Sequence, residues 1–157
     1  MSLSPRIAAA LDDVKTETGP AGLVSAEEGP HRVSMRVRQV NSIAVESDEL
    51  VFETSSPRSL DDLNAWADRL ACRVTYLLEP LALLESDATG TVVELRSRKP
   101  AVRSGVRSYD EVRLDATGQL RLTRHAFEET TRTRRQTPFT LSREVLERLV
   151  EDLETTA

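Results

Sequence analysis

From His31 onward apolar residues fall on every second position: Val33, Met35 and Val37 are interleaved with Arg32, Ser34, Arg36 and Arg38. A period of two puts successive side chains on opposite sides of an extended chain, so this stretch predicts a half-buried strand. Asn41-Ser42 suits a turn, "IAVE" at 43–46 a short second strand, Ser47-Asp48-Glu49 another turn, and "LVFET" at 50–54 a third strand.

Elsewhere the period lengthens to that of a helix. Ser4-Pro5 reads as a start, with Ser as cap and Pro at the first helical position, and Ile7, Leu11 and Val14 follow on one stripe. This predicts an N-terminal helix within 1–18. Two Gly-Pro pairs and Gly22 then predict a flexible loop over 19–30. After Pro57, Ser59 can cap a second helix, with Asp62 three residues on as in a capping box. Its apolar face collects Leu60, Leu63, Trp66, Ala67, Leu70 and Val74. A third helix begins at Ser142, with Val145, Leu146, Leu149 and Leu153 as its buried stripe.

Between the second and third helices lie "YLLEPLALL" at 76–84, where Pro80 favours a strand starting after it, and two copies of Asp-Ala-Thr-Gly at 87–90 and 115–118. A phosphate cradle needs several backbone N–H groups running into a helix, and a calcium loop needs several spaced oxygen ligands. Each copy has one glycine, one aspartate and strand-like sequence after it, so both are expected to be hairpin turns with glycine in the left-handed position. The second turn sets a register that pairs Leu114 with Leu120, Arg113 with Arg121, Val112 with Leu122, Glu111 with Thr123, Asp110 with Arg124 and Tyr109 with His125. That register sorts apolar from polar residues between the two faces. Around the first copy Leu83 pairs with Leu95 and Glu85 with Val93, placing Leu83, Val93 and Leu95 inward.

The segregated blocks predict one α+β domain spanning 1–157. An antiparallel sheet of about six to seven strands would have helices on one face, in the order α-β-β-β-α-β-β-β-β-α. In a small acidic chain, this order resembles that of the dimeric type III secretion chaperones. The resemblance spans most of the chain, rests on element order, transfers no residue, and implies a homodimer that binds protein.

Composition narrows the function classes. With Cys72 as the only cysteine, the chain alone can form neither a disulfide nor a cysteine-based zinc site. There is no G-x-S-x-G nucleophile motif. His31 and His125 lack carboxylates at ligand spacing and read as surface histidines. No catalytic set, metal site or cofactor site is nominated. No secretory leader is legible and no apolar run approaches the roughly 20 residues that span a bilayer, so a cytoplasmic location without membrane contact is expected.

Charge adds one surface. Residues 1–95 hold 8 Lys/Arg against 16 Asp/Glu, whereas residues 96–135 hold 11 against 5. Arg96, Arg98, Arg107, Arg113, Arg121 and His125, with Tyr109 and Phe127, form a candidate basic and aromatic sheet face. Arg132, Arg134 and Arg135 follow on an expected loop. Single-stranded nucleic-acid binders use such faces, stacking bases on rings and tracking phosphates with arginines. The other reading is a solvated face whose arginines pair with the acidic part of the same chain. Three functions are thus in view: a non-catalytic protein-binding module acting as a homodimer, an RNA or single-stranded DNA binder through 96–135, and an enzyme on a small polar substrate.

Overall fold

The computed structural model describes residues 2–14, 22–77, 79–97 and 100–157. In chain order the elements are α1 (Leu3–Val14), β1 (Gly22–Glu28), β2 (His31–Val40), β3 (Ala44–Thr54), α2 (Leu60–Arg73), β4 (Leu81–Asp87) and β5 (Val92–Ser97). They continue with β6 (Ala101–Arg103), β7 (Val106–Asp115), β8 (Gln119–Glu128), β9 (Thr133–Thr137), β10 (Phe139–Ser142) and α3 (Arg143–Thr156). The fold is α+β, with the helix and strand blocks in the expected order. Seven strands of one antiparallel sheet run β1-β2-β3-β8-β7-β5-β4, while β10, β6 and β9 attach to β3, β7 and β8.

The long β7–β8 hairpin organises the sheet. Near its turn it is flanked by β5 and β3; towards its open end it is flanked instead by β6 and β9. The helices share one face. There α1 packs on β1 and β2, α2 packs on β4, β5 and β7, and α3 lies between them against β3 and β10. Trp66, Phe52, Leu50, Leu95, Leu114 and Leu120 are among the largest side chains sealed between the layers. Residues such as these supply most of the driving force, at about 1.5–3 kcal/mol for each large apolar side chain buried.

Helix ends follow local chemistry. Ser59 caps α2 and accepts from the Asp62 N–H at 3.1 Å, while Asp62 Oδ2 accepts from the Ser59 N–H at 3.1 Å. Ser142 caps α3 by accepting from the Val145 N–H at 3.0 Å, and Val150 rather than Val145 completes the buried stripe. Ser4 is not the cap of α1. It lies inside the helix and donates to the Glu147 carbonyl at 3.0 Å, and the free Leu3 N–H is met by Glu154 Oε1 at 2.7 Å. The α1 start is therefore satisfied by α3, a tertiary solution that local sequence does not reveal.

Several local expectations change. Gly22–Glu28 of the expected loop form β1, because Gly29-Pro30 makes a two-residue hairpin turn with Glu28 opposite His31. Gly29, at φ +59, takes the first turn position, which a II′ turn gives to glycine. Residues 15–21, which include the expected end of the first helix, lie outside the described residues. Ser47-Asp48-Glu49 is a bulge within a continuous β3, with Met35 opposite Leu50 but Val37 opposite Ser47. The buried Ser47 hydroxyl lies 2.7 Å from the Arg36 carbonyl and 2.9 Å from that of Glu49, meeting carbonyls that the bulge displaces from the ladder.

The two Asp-Ala-Thr-Gly turns also differ. At 115–118 the Gly118 N–H bonds the Asp115 carbonyl at 3.0 Å and Gly118 adopts φ +86, as expected. At 87–90 it is Thr91, with φ +50, that takes the left-handed position, and Asp87 faces Val92 across a longer loop. An offset after Leu83 sets Glu85 opposite Glu94 instead of Val93. Leu83 is half exposed rather than inward, because β4 is an outermost strand and α2 covers only its start at Leu81.

Candidate binding surface

The β7–β8 register places Arg113 opposite Arg121, Glu111 opposite Thr123, Tyr109 opposite His125 and Arg107 opposite Phe127, all on the side of the sheet away from the helices. Through β5, Arg96 stands beside Glu111 and Glu94 beside Arg113. Arg134 and Arg135, expected on a loop, lie on β9, which sets Arg134 beside Phe127 and Gln136 beside His125. The candidate residues Arg96, Arg107, Tyr109, Arg113, Arg121, His125 and Phe127 therefore share one surface. Arg98 lies outside the described residues.

Their contacts are mostly with each other and with acids. Glu111 Oε2 accepts from Arg96 Nη2 at 3.0 Å and from Arg134 Nη2 at 2.8 Å. Arg113 reaches Glu94 at 3.4 Å, Arg121 reaches Glu49 at 3.7 Å, and Arg107 reaches Glu129 at 2.6 Å. Each described arginine of the expected patch thus has a carboxylate neighbour. Exposed pairs of this kind contribute about 0–1 kcal/mol each to stability, but they cancel much of the field a polyanion would sense.

Tyr109 is covered rather than presented, whereas Phe127 is partly exposed. Arg96 lies over the Tyr109 ring at 4.7 Å and Arg134 at 5.8 Å, and Tyr109 stacks on His125 at 5.8 Å between ring centres, leaving Tyr109 only 7% exposed. His125 is consequently not the surface histidine expected from sequence. Desolvation, and then the nearby Arg134 charge, hold its pKa below the ordinary value; Glu111 opposes and Arg96 adds to the lowering. Its Nε2 is 2.9 Å from the Thr123 hydroxyl. His31 is also partly buried, stacked on Phe52 at 5.3 Å.

A second charged group lies on the helix side of the same hairpin. Asp110 and Arg124 face each other across the ladder, and the guanidinium also meets Glu79 from the α2–β4 connection. Arg124 Nη1 donates to Asp110 Oδ1 at 2.9 Å and to Glu79 Oε2 at 3.2 Å, and Nη2 donates to Glu79 Oε1 at 3.3 Å. Burial raises the Asp110 pKa, and Arg124 only partly offsets that. Composition gave no sign of this cluster. The signal was the register itself, which puts two opposite charges face to face on the apolar side.

No group of three or more His, Cys, Asp or Glu is arranged to hold a metal among the described residues. Nor is any described helix long and apolar enough to cross a membrane. No family model, curated protein or solved structure matches the chain. The likeness to secretion chaperones therefore rests on element order alone.

Proposed function

We propose that this protein is a non-catalytic protein-binding module that works as a homodimer and pairs through β4. The observation that supports this reading is an open strand edge bearing two neighbouring exposed leucines. Among the described residues β4 has a single neighbour, β5, and Leu83 and Leu84 are 50% and 48% exposed. An unpaired edge offers a row of backbone donors and acceptors to another strand, and apolar side chains beside it add area to bury. The basic face, by contrast, is already paired internally.

The strand is also suited to a copy of itself. Glu85 and Asp87 lie at one end of β4 and the leucines lie near its centre. In an antiparallel pair centred on the leucines, each acid meets the uncharged start of the partner strand. A parallel pair would set Glu85 on Glu85, and like charges directly opposite are destabilising. Antiparallel pairing about a two-fold axis is the symmetry most homodimers use.

Leu83→Glu combined with Leu84→Glu tests this. The pair should elute as a monomer where the wild-type chain elutes as a dimer, with an unchanged circular dichroism spectrum. A variant that keeps the wild-type elution volume removes β4 from the interface.

A further inference from the structure

A cavity of about 160 Å³ opens beside the buried charged cluster. Its apolar walls include Leu77, Leu122, Phe139 and Leu141, the exposed Thr140 lies at its rim, and Asp110 and Arg124 form its polar end. Glu79 does not line it. Instead Glu79 holds Arg124 with both carboxylate oxygens, at 3.2 and 3.3 Å. Two carboxylates thus share one guanidinium, and Asp110 is the one of the two that faces the cavity. Its Oδ1 accepts from Arg124, while no described residue donates to Oδ2.

From this geometry we infer that the cavity is a binding site for a small organic cation, a protonated amine on an apolar body of about six carbons, whose ammonium rests on Asp110 Oδ2. Three features select this chemistry. The excess of one carboxylate over the guanidinium repels anions. Leucine and phenylalanine walls offer none of the oxygen ligands a hard metal ion needs. The volume matches that of an engineered cavity of about 150 Å³ that takes benzene. An ammonium would both restore charge balance around Asp110 and make a charge-assisted hydrogen bond in a site of low dielectric, where such bonds are strong. The site is independent of the β4 edge, so dimerisation and amine binding stand or fall separately.

The test is titration of the full chain with benzylamine and, separately, with benzyl alcohol, a neutral molecule of nearly the same shape, followed by NMR. Saturable shifts of the Leu122 and Phe139 resonances are expected with the amine. Binding of the alcohol should be weaker by at least about tenfold, as loss of one charge-assisted contact requires. Asp110→Asn should lose a similar factor while keeping the dispersed spectrum of a folded protein, and Leu141→Trp, which fills the cavity, should abolish the shifts. Equal affinity for amine and alcohol, or no saturable shift with the amine, overturns the assignment even if Asp110→Asn proves unfolded.

Discussion

Asp110 and Arg124 stand directly opposite each other on the helix side of the β7–β8 ladder, 2.9 Å apart, at positions where the alternation of the strands calls for apolar residues. Removing either partner should have very different consequences. Arg124→Met leaves Asp110 and Glu79 both buried without a counter-charge and should destabilise the protein by about 3–5 kcal/mol, read from chemical denaturation at neutral pH.

Asp110→Asn should be far milder, because it leaves Arg124 paired with Glu79 and removes a carboxyl whose pKa burial already raises. A folded-state pKa above the unfolded value of about 3.9 means that this carboxyl contributes stability below that value. The contribution is lost as pH rises through the folded pKa. Compared with Asp110→Asn, the wild-type chain should therefore lose stability across that window. A stability difference that grows with pH in the wild type's favour would reverse the sign assigned to this group.

For His125 the sign is opposite. Its folded-state pKa is depressed, so its contribution is present above about 6.5 and is lost as pH falls through the folded value. An NMR titration of the His125 ring should give a midpoint below about 6.5, and Arg134→Gln should move that midpoint upward. A midpoint that stays in place would mean that the Arg134 charge does not act on the His125 ring.

The repeated Asp-Ala-Thr-Gly provides an internal control. A Cβ at Gly118 would sit 2.7 Å from the Ser56 carbonyl and 2.9 Å from that of Thr54, at a φ of +86. Gly118→Ala should therefore cost about 2 kcal/mol or more, the left-handed penalty plus the backbone clash. At Gly90 the nearest atom is Asp87 Oδ2 on an exposed side chain, 3.3 Å away, and φ is not in the left-handed range. Gly90→Ala should stay within about 1 kcal/mol of wild type. Melting curves of the two variants separate these cases.

Because Arg113, Arg121, Arg96 and Arg107 each have a glutamate beside them, the basic face should bind single-stranded RNA or DNA weakly if at all. Filter binding at two salt concentrations should find no steep salt dependence. A strong dependence would reveal released counterions and hence real phosphate contacts.

These contrasts mark how far the sequence reaches. The β7–β8 register was legible because one turn and a clean alternation agree over the whole hairpin, and that register placed Arg113, Arg121, Tyr109 and His125 correctly on one face. At the first Asp-Ala-Thr-Gly the hairpin was legible but its left-handed position and register were not, because its identical residues lack what holds the second. There the Thr54 N–H and the Arg58 N–H bond the Gly118 and Ala116 carbonyls and dock the turn on the β3–α2 connection. Such docking is tertiary and leaves no mark on the four residues. Strand β9 was missed because Thr133–Gln136 are exposed and show no apolar face. Strand β6 was missed as well, although the turn after it carries a signal in Ser104-Gly105, both at positive φ as a I′ turn requires. Glu79 could not be foreseen as the partner of Arg124, since only folding brings the α2–β4 connection to β8.

Sedimentation equilibrium of the wild-type chain bears most directly on the proposed pairing through β4. The expected result is a mass twice the 17.5 kDa of the chain, falling to the single-chain value when both leucines are replaced by glutamate. A wild-type mass of one chain at every concentration measured would contradict it.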